Sequence, residues 1–291
     1  MKLLILGGSG QLGRELVTEA ARRGHAVAAP SSAALDVTDH AALAAALDAE
    51  RPDALVNATA AHVVPECERE PDRAFAVNAA AVKRMAEECQ ARGSSFVTYS
   101  TDYVFDGRKG APYVESDAPN PLQTYGVSKL AGELLCTLFH PGAWVVRTCG
   151  VYGGAAGSRA KRGNFILNVL RDTAGKSELE VSSEQIVDPT FAADLALASL
   201  DLVARRPPGG VYHLASDGHC SWAEFAAAAM ELTGRPTRIV PVDRGGHSGA
   251  ARRPLFSALA NTRARALGVT LPHWRDGLAR YLGTLAAART S

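Results

Sequence analysis

Tyr125 and Lys129 stand four residues apart in the stretch Tyr125-Gly126-Val127-Ser128-Lys129. On a helix, that spacing projects both side chains from one face. A phenol with a pKa of about 10 is a poor proton donor and acceptor at neutral pH. A neighbouring ammonium favours the phenolate and brings proton transfer within physiological reach. A Tyr-x-x-x-Lys pattern alone is short, and a partly buried Tyr beside a solvated Lys produces it by chance. The chemistry therefore depends on which other groups the rest of the chain brings to this pair.

The elements that would do so begin at the N-terminus. A short apolar run, residues 2–6, leads into Gly7-Gly8-Ser9-Gly10-Gln11-Leu12-Gly13, and a helical pattern follows from about Gln11 to Arg23. Strand, glycine turn and helix, with Gly7, Gly10 and Gly13 spaced G-x-x-G-x-x-G, is the context of a dinucleotide-binding turn. The glycines allow a tight turn and close approach of backbone to a pyrophosphate. The helix N-terminus offers its free N–H groups to the phosphates.

The second strand, Ala26 to Ala29, runs into Pro30-Ser31-Ser32-Ala33, with no carboxylate to bind a ribose 2′-hydroxyl and no arginine to demand a 2′-phosphate. NADPH is the expected cofactor, with NADH tolerated. Thr38 or Asp39 is placed to cap the next helix, which ends near Glu50, and Asp36 is a candidate for the adenine amino group. Ala54 to Asn57 reads as a third strand; the small residues after it, including Ala58 and Ala60, suit backbone lying against a cofactor. A long helix is expected from Pro71 to Arg92, stopped by Gly93. Ser95 to Tyr99 makes a fourth strand that delivers Ser100, Thr101, Asp102 and Tyr103 at its C-terminal end, where open parallel sheets collect ligands.

Composition narrows the class. The 291 residues carry 31 basic and 30 acidic side chains, so no global charge points to nucleic acid or an anionic membrane. Five scattered cysteines form no Cys-x-x-Cys pair, which argues against a disulfide framework or zinc site and for a reducing compartment. No run is long enough for a membrane span, and no signal-peptide pattern opens the chain. A cytoplasmic location is expected.

Taken together, the glycine turn, the Ser-Thr at the end of the fourth strand and Tyr-x-x-x-Lys resemble the extended short-chain dehydrogenase/reductases. Ser100-Thr101-Asp102-Tyr103-Val104-Phe105-Asp106-Gly107, Pro119-x-Pro121 and Tyr125-Gly126-x-Ser128-Lys129-x-Ala131-Gly132-Glu133 resemble the dTDP-4-dehydrorhamnose reductase family within them. So do Arg147-Thr148, Gly163-Asn164-Phe165, Asp188-Pro189-Thr190 and Arg252-Arg253-Pro254-x-x-Ser257-x-Leu259. The resemblance covers nearly the whole chain.

It implies reduction of the 4-keto group of a nucleotide-linked 6-deoxyhexose by a nicotinamide hydride. Tyr125 would protonate O4, Lys129 would bind the nicotinamide ribose and lower the Tyr pKa, and Thr101 would hydrogen-bond the same oxygen. Gly10, Gln11 and Leu12 would line the pyrophosphate, with Asp36 and Val37 near the adenine and Ser100 at the cofactor edge. Asp102 would touch the sugar. Arg253, able to grip phosphate oxygens bidentately, would pair with the diphosphate of the sugar nucleotide, with Asn164 in the same region. A homodimer is allowed. Glu15 matches a residue that supports a metal-bridged dimer in some relatives, but partner ligands are not evident and no metal is expected.

Four departures from the family pattern fall where substrate is recognised: Gly150 in place of an aromatic, Pro65 in place of an acidic residue, Glu184 to Asp188 without the usual glycine, and extra glycines and basic residues (Arg159, Lys161, Arg162) over 153–163. They leave open a ketoreductase for a different nucleotide-linked deoxysugar. A cofactor-binding regulatory subunit like that of methionine adenosyltransferase is the remaining alternative; intact Tyr125 and Lys129 argue against it.

The expected architecture is α/β: a Rossmann-type doubly wound parallel sheet with a smaller, mostly helical C-terminal substrate lobe. Residues 1–153 and about 177–216 would bind the dinucleotide, with Trp144 to Arg147 and Val211 to Leu214 as further strands. Residues 154–176 and 217–291 would form the lobe, from Asn164 to Asp172, Ser221 to Thr233, Ile239-Val240, Ser257 to Leu267 and Pro272 to Leu285. His213 reads as structural, Cys149 as inert, and Trp222 and Trp274 as helix-packing residues.

Overall fold

The computed structural model describes residues 1–154, 163–248 and 251–290; Arg159, Lys161 and Arg162 lie outside them. The chain opens with β1 (Lys2–Leu6), α1 (Gln11–Arg22), β2 (Ala26–Ala28), α2 (His40–Glu50) and β3 (Ala54–Asn57). Asp39 caps α2, its side chain accepting from the Ala42 amide. Next come α3 (Val64–Arg69), α4 (Pro71–Phe75) and α5 (Ala81–Arg92). The helix expected over 71–92 is there, but residues Ala76–Ala80 between α4 and α5 form a π turn. Gly93, with φ of 67°, ends it. Then follow β4 (Ser95–Thr101), α6 (Thr124–Phe139) and β5 (Trp144–Thr148).

Beyond residue 163 lie α7 (Phe165–Asp172), β6 (Glu178–Ser182), β7 (Ile186–Val187), α8 (Ala192–Arg205), β8 (Gly210–His213), β9 (Cys220–Ser221) and α9 (Trp222–Thr233). The chain closes with β10 (Arg238–Val242), β11 (His247–Ser248), β12 (Ala251–Arg252), α10 (Thr262–Ala266) and α11 (Trp274–Thr290).

Six strands form one parallel sheet in the order β2-β1-β3-β4-β5-β8. Its strands are near-continuous apolar runs because helices cover both faces: Leu3, Ile5, Val56, Val97 and Val146 enter one core cluster and Leu4, Leu6, Leu55, Phe96 and Val145 the other. The strand order reverses between β1 and β3, and the crevice at such a reversal is where α/β sheets bind nucleotides. The glycine turn sits there.

The second lobe has its own apolar cluster, formed by Tyr152, Ile166, Phe191, Phe225, Leu278 and Tyr281 among others. It contains more strand than the sequence suggested. Strand β6 pairs in parallel with β10, β7 antiparallel with β9, and β11 with β12. Residues 178–187, assigned from sequence to the nucleotide-binding domain, therefore pair with the C-terminal lobe. Residues 257–261, expected to begin a helix, instead run extended: the Tyr113 amide donates to the Ala258 carbonyl and the Ala260 amide to the Tyr113 carbonyl. Only Thr262–Ala266 is helical, and Ala264 packs into the core of the large sheet. Among the described residues no helix is long and apolar enough to cross a membrane.

Candidate active site

The turn after β1 is built for close approach. Gly7 has φ of 81°, and a Cβ there would stand 2.8 Å from the Ala58 carbonyl oxygen. A Cβ at Gly13 would lie 2.0 Å from the Gly7 carbonyl oxygen, so only glycine lets α1 pack against the turn. Gly10 caps α1 without any side chain, which leaves the first N–H groups of the helix for an external acceptor. The Gln11 Oε1 beside them is buried without a partner among the described residues. The glycine turn and the uncapped start of α1 fit a dinucleotide's pyrophosphate.

Asp36 is exposed and accepts from the Thr38 amide at 2.9 Å and hydroxyl at 2.8 Å; those bonds hold its carboxyl below its usual range. Its neighbour Val37 is buried in the core. Ala58 and Ala60 are half-buried at the edge beyond β3. Just past them a small cavity is lined by Ala60, Ala61, His62, Cys67 and Ala74.

Strand β4 and helix α6 bring the reactive groups together. Tyr125 lies in the first turn of α6, which Gln123 caps by accepting from the Gly126 amide at 2.8 Å. The helix must press close here: a Cβ at Gly126 would be 2.2 Å from the Tyr103 carbonyl oxygen. The Tyr125 hydroxyl lies near Thr101, whose hydroxyl pulls its pKa down against the larger effect of burial. Thr101 gives its single hydroxyl hydrogen to Asp102 Oδ1 at 3.0 Å and accepts from the Tyr103 amide at 3.1 Å. Asp102, buried, takes a second bond from the Ser257 hydroxyl at 2.6 Å.

Burial, with the Asp102 charge second, pushes the Tyr125 pKa above that of a free phenol. The sequence led to the opposite expectation, that Lys129 would lower it. Lys129 is one turn along α6 and buried, but its ammonium donates to the Tyr99 carbonyl at 2.6 Å. Desolvation lowers its own pKa to about 8, against the pull of Glu133.

Three further groups hold this arrangement. Ser100, expected at the cofactor, donates its hydroxyl to Glu133. Glu133 pairs with Arg147 of β5 at 2.6 Å, both side chains 4% exposed. Asn78, in the π turn, exchanges two 2.9 Å bonds with Ala61 and donates to Ser128 Oγ at 3.0 Å, tying the cofactor edge to α6. Gly132 makes that contact possible, since a Cβ there would lie 2.1 Å from the Asn78 carbonyl oxygen. Sequence reasoning missed Asn78; its signal was a lone polar residue among the apolar positions of a helix.

From the second lobe, Arg253 brings its charge close to the Tyr103 hydroxyl, and its Nε is buried without a partner among the described residues. Tyr103 in turn meets the Tyr125 ring edge to face, with centroids 6.2 Å apart. An arginine with spare donors there suits an anionic group. Asn164 is committed elsewhere. It caps α7 by accepting from the Leu167 amide at 3.0 Å, and its amide donates to Gly153 and Tyr281. With every bond used inside the protein, it has none left for a diphosphate, which corrects its assignment.

His213 is buried, with Nδ1 between the carbonyls of Tyr113 and Ala260, as expected for a structural histidine. The Cys149 thiol is raised well above its usual pKa by burial, so it stays protonated and inert.

Comparison with known proteins agrees with this geometry. Residues 1–287 match the family described as the RmlD substrate binding domain. A dTDP-4-dehydrorhamnose reductase of Streptomyces griseus is 38% identical over 94% of this chain and 91% of its own length. The spore coat polysaccharide biosynthesis protein SpsK of Bacillus subtilis is 35% identical over 99% of both chains. The crystal structure of dTDP-4-dehydrorhamnose reductase from Bacillus anthracis, in complex with NADP, superposes with a TM-score of 0.90 at 30% identity, covering 97% of this chain and 98% of that one.

Proposed function

The chain belongs to the RmlD substrate binding domain family, and from that membership and the site we propose that it is an NADPH-dependent reductase of the 4-keto group of a nucleotide-linked 6-deoxyhexose, with dTDP-4-dehydrorhamnose as its substrate. The observation that carries the reading is the grouping of Tyr125 with the hydrogen-bonded pair Thr101 and Asp102 beside buried Lys129, at the strand ends next to the glycine turn.

When bound, NADPH supplies the hydride. The chain's residues do the rest. Gly7, Gly10 and Gly13 let backbone close on the pyrophosphate, and the start of α1 donates to it. Tyr125, kept protonated by burial, holds the proton that O4 takes as charge develops on it. Thr101 orients that hydroxyl and is the second polar group beside the oxygen. Lys129, charged below about pH 8, places a cation one turn from the phenolate left behind. Arg253 offers its spare donors to the substrate's diphosphate.

Asp102 serves Thr101 and Ser257 more directly than it serves a sugar. A homodimer in the cytoplasm completes the reading. It draws support from the five free cysteines and from the outer face of α6, where Val127, Leu134 and Leu138 are exposed while the helix's two charged residues, Lys129 and Glu133, point inward.

The test is oxidation of NADPH and of NADH with dTDP-4-dehydro-L-rhamnose, followed at the nicotinamide absorbance. Turnover with NADPH is expected. Absence of turnover, with NADPH still bound, would remove this sugar from the proposal.

A further inference from the structure

The chain has three tryptophans. Trp144 and Trp274 are buried, at 4% and 7% exposure, whereas Trp222 is half-buried. Trp222 is the first residue of α9, directly after Ser221, whose side chain and Glu224 form a capping box that fixes where the helix starts. The pairing of β9 with β7 fixes the chain on the other side. An indole at such a position is held firmly.

Its surroundings straddle the two lobes. On one side the ring lies 4.6 Å from Phe165, tilted by 40°, within the second-lobe cluster. On the other it packs against the cluster of Val104, Phe105, Cys149 and Val187. Gly150 is what admits it there. That residue follows β5 with φ of 54°, and a Cβ on it would stand 3.3 Å from Trp222 Cη2 and 3.3 Å from the Pro189 Cα. A larger side chain at 150 would have to displace the indole.

The edge of the ring therefore stands beside the end of β5, whose Thr148 is paired with Thr101. The intervening Cys149 lies beside Asp102. Tyr125 and Thr101 supply the polar wall of the site from the large sheet; the indole is an aromatic surface from the other lobe. A 6-deoxyhexose has a C6 methyl and an apolar C–H face. Such a face packs well on the part of an aromatic ring that its neighbours leave open, and Trp222 is only half-buried.

We propose that Trp222 is a specificity-determining residue, the wall on which the apolar face of the sugar packs, and that Gly150 is the residue that lets it stand there. This rests on the nucleotide-sugar reading given above. Trp222→Leu keeps apolar bulk against Phe165 but removes the ring, and Trp222→Phe keeps a smaller ring.

Steady-state kinetics with dTDP-4-dehydro-L-rhamnose should show KM raised about tenfold in the Leu variant, with the loss falling on KM more than on kcat. NADPH affinity should be retained, and the Phe variant should recover most of the loss. Titration with dTDP-L-rhamnose should quench tryptophan fluorescence in the wild type and not in Trp222→Phe, where only the two buried indoles remain. An unchanged KM in the Leu variant, or quenching that persists in the Phe variant, overturns the proposal while leaving the reductase intact. No turnover in the wild type overturns both.

Discussion

Around Tyr125 the side chains are fixed by bonds that cross the large sheet; around Trp222 they are fixed by packing and short strand pairs. Ser100, Glu133 and Arg147 join β4, α6 and β5 in one buried network, and Asn78 joins the cofactor edge to the same helix. In the second lobe, β7 and β9 share two residues each, and the salt bridge of Arg238 with Glu178 across β6 and β10 is solvent-exposed. A reaction centre needs atoms held to fractions of an ångström. A sugar-recognition surface need only present the right shape, and it can vary without disturbing the chemistry.

Perturbing each region sharpens the contrast. Tyr125→Phe removes the proton donor and should lower kcat by roughly two to four orders of magnitude, while the dissociation constant for NADPH stays near that of the wild type. Stopped-flow turnover and a cofactor titration would measure both, and turnover close to normal would refute the acid role. Glu133→Ala leaves the Arg147 charge buried and unpaired. Denaturant unfolding should show a loss of about 3 to 5 kcal/mol.

Lys129→Met should act in the other direction on stability. The lysine's pKa falls from 10.5 to about 8 on folding, so between those values the unfolded chain binds the proton and the folded chain does not. Wild-type stability therefore rises with pH across that window. Below about pH 8 the penalty for burying the cation is fully present. The Met variant should be more stable at pH 7 by on the order of 3 kcal/mol and lose that pH dependence, although turnover suffers. Smallest of all, Arg238→Ala in the second lobe should change unfolding free energy by less than about 1 kcal/mol. A large loss there would erase the contrast between the two regions.

The same contrast explains what could be read from sequence. The glycine turn, the Tyr-x-x-x-Lys helix and the strands of the large sheet are local: each is written in contiguous residues with the period of its own element. The pairing of Glu178–Ser182 with Arg238–Val242 was not legible, because the two segments are distant in the chain and each is only half-buried. Residues 257–261 include Ala258, Leu259 and Ala260, good helix formers, but their backbone is claimed by Tyr113 and Asp188. Lys129 was placed correctly on the helix; that the Tyr125 pKa nevertheless rises comes from burial, which contiguous residues do not display. Asn164 matched a motif, yet its side-chain bonds are spent on Leu167, Gly153 and Tyr281.

The π turn at Ala76–Ala80 bears on how this chain tolerates change in length. A π turn holds one residue more than the regular helix that would otherwise join its flanks. Removing a single residue from that stretch would let α4 and α5 join as one regular helix and would carry Asn78 away from its partners Ala61 and Ser128. Substitution within so plain a sequence as Ala-Val-Asn-Ala-Ala is tolerable at most positions. Deletion is not, and sequences diverging from this one should hold the spacing between Pro71 and Gly93 long after they have exchanged the residues between.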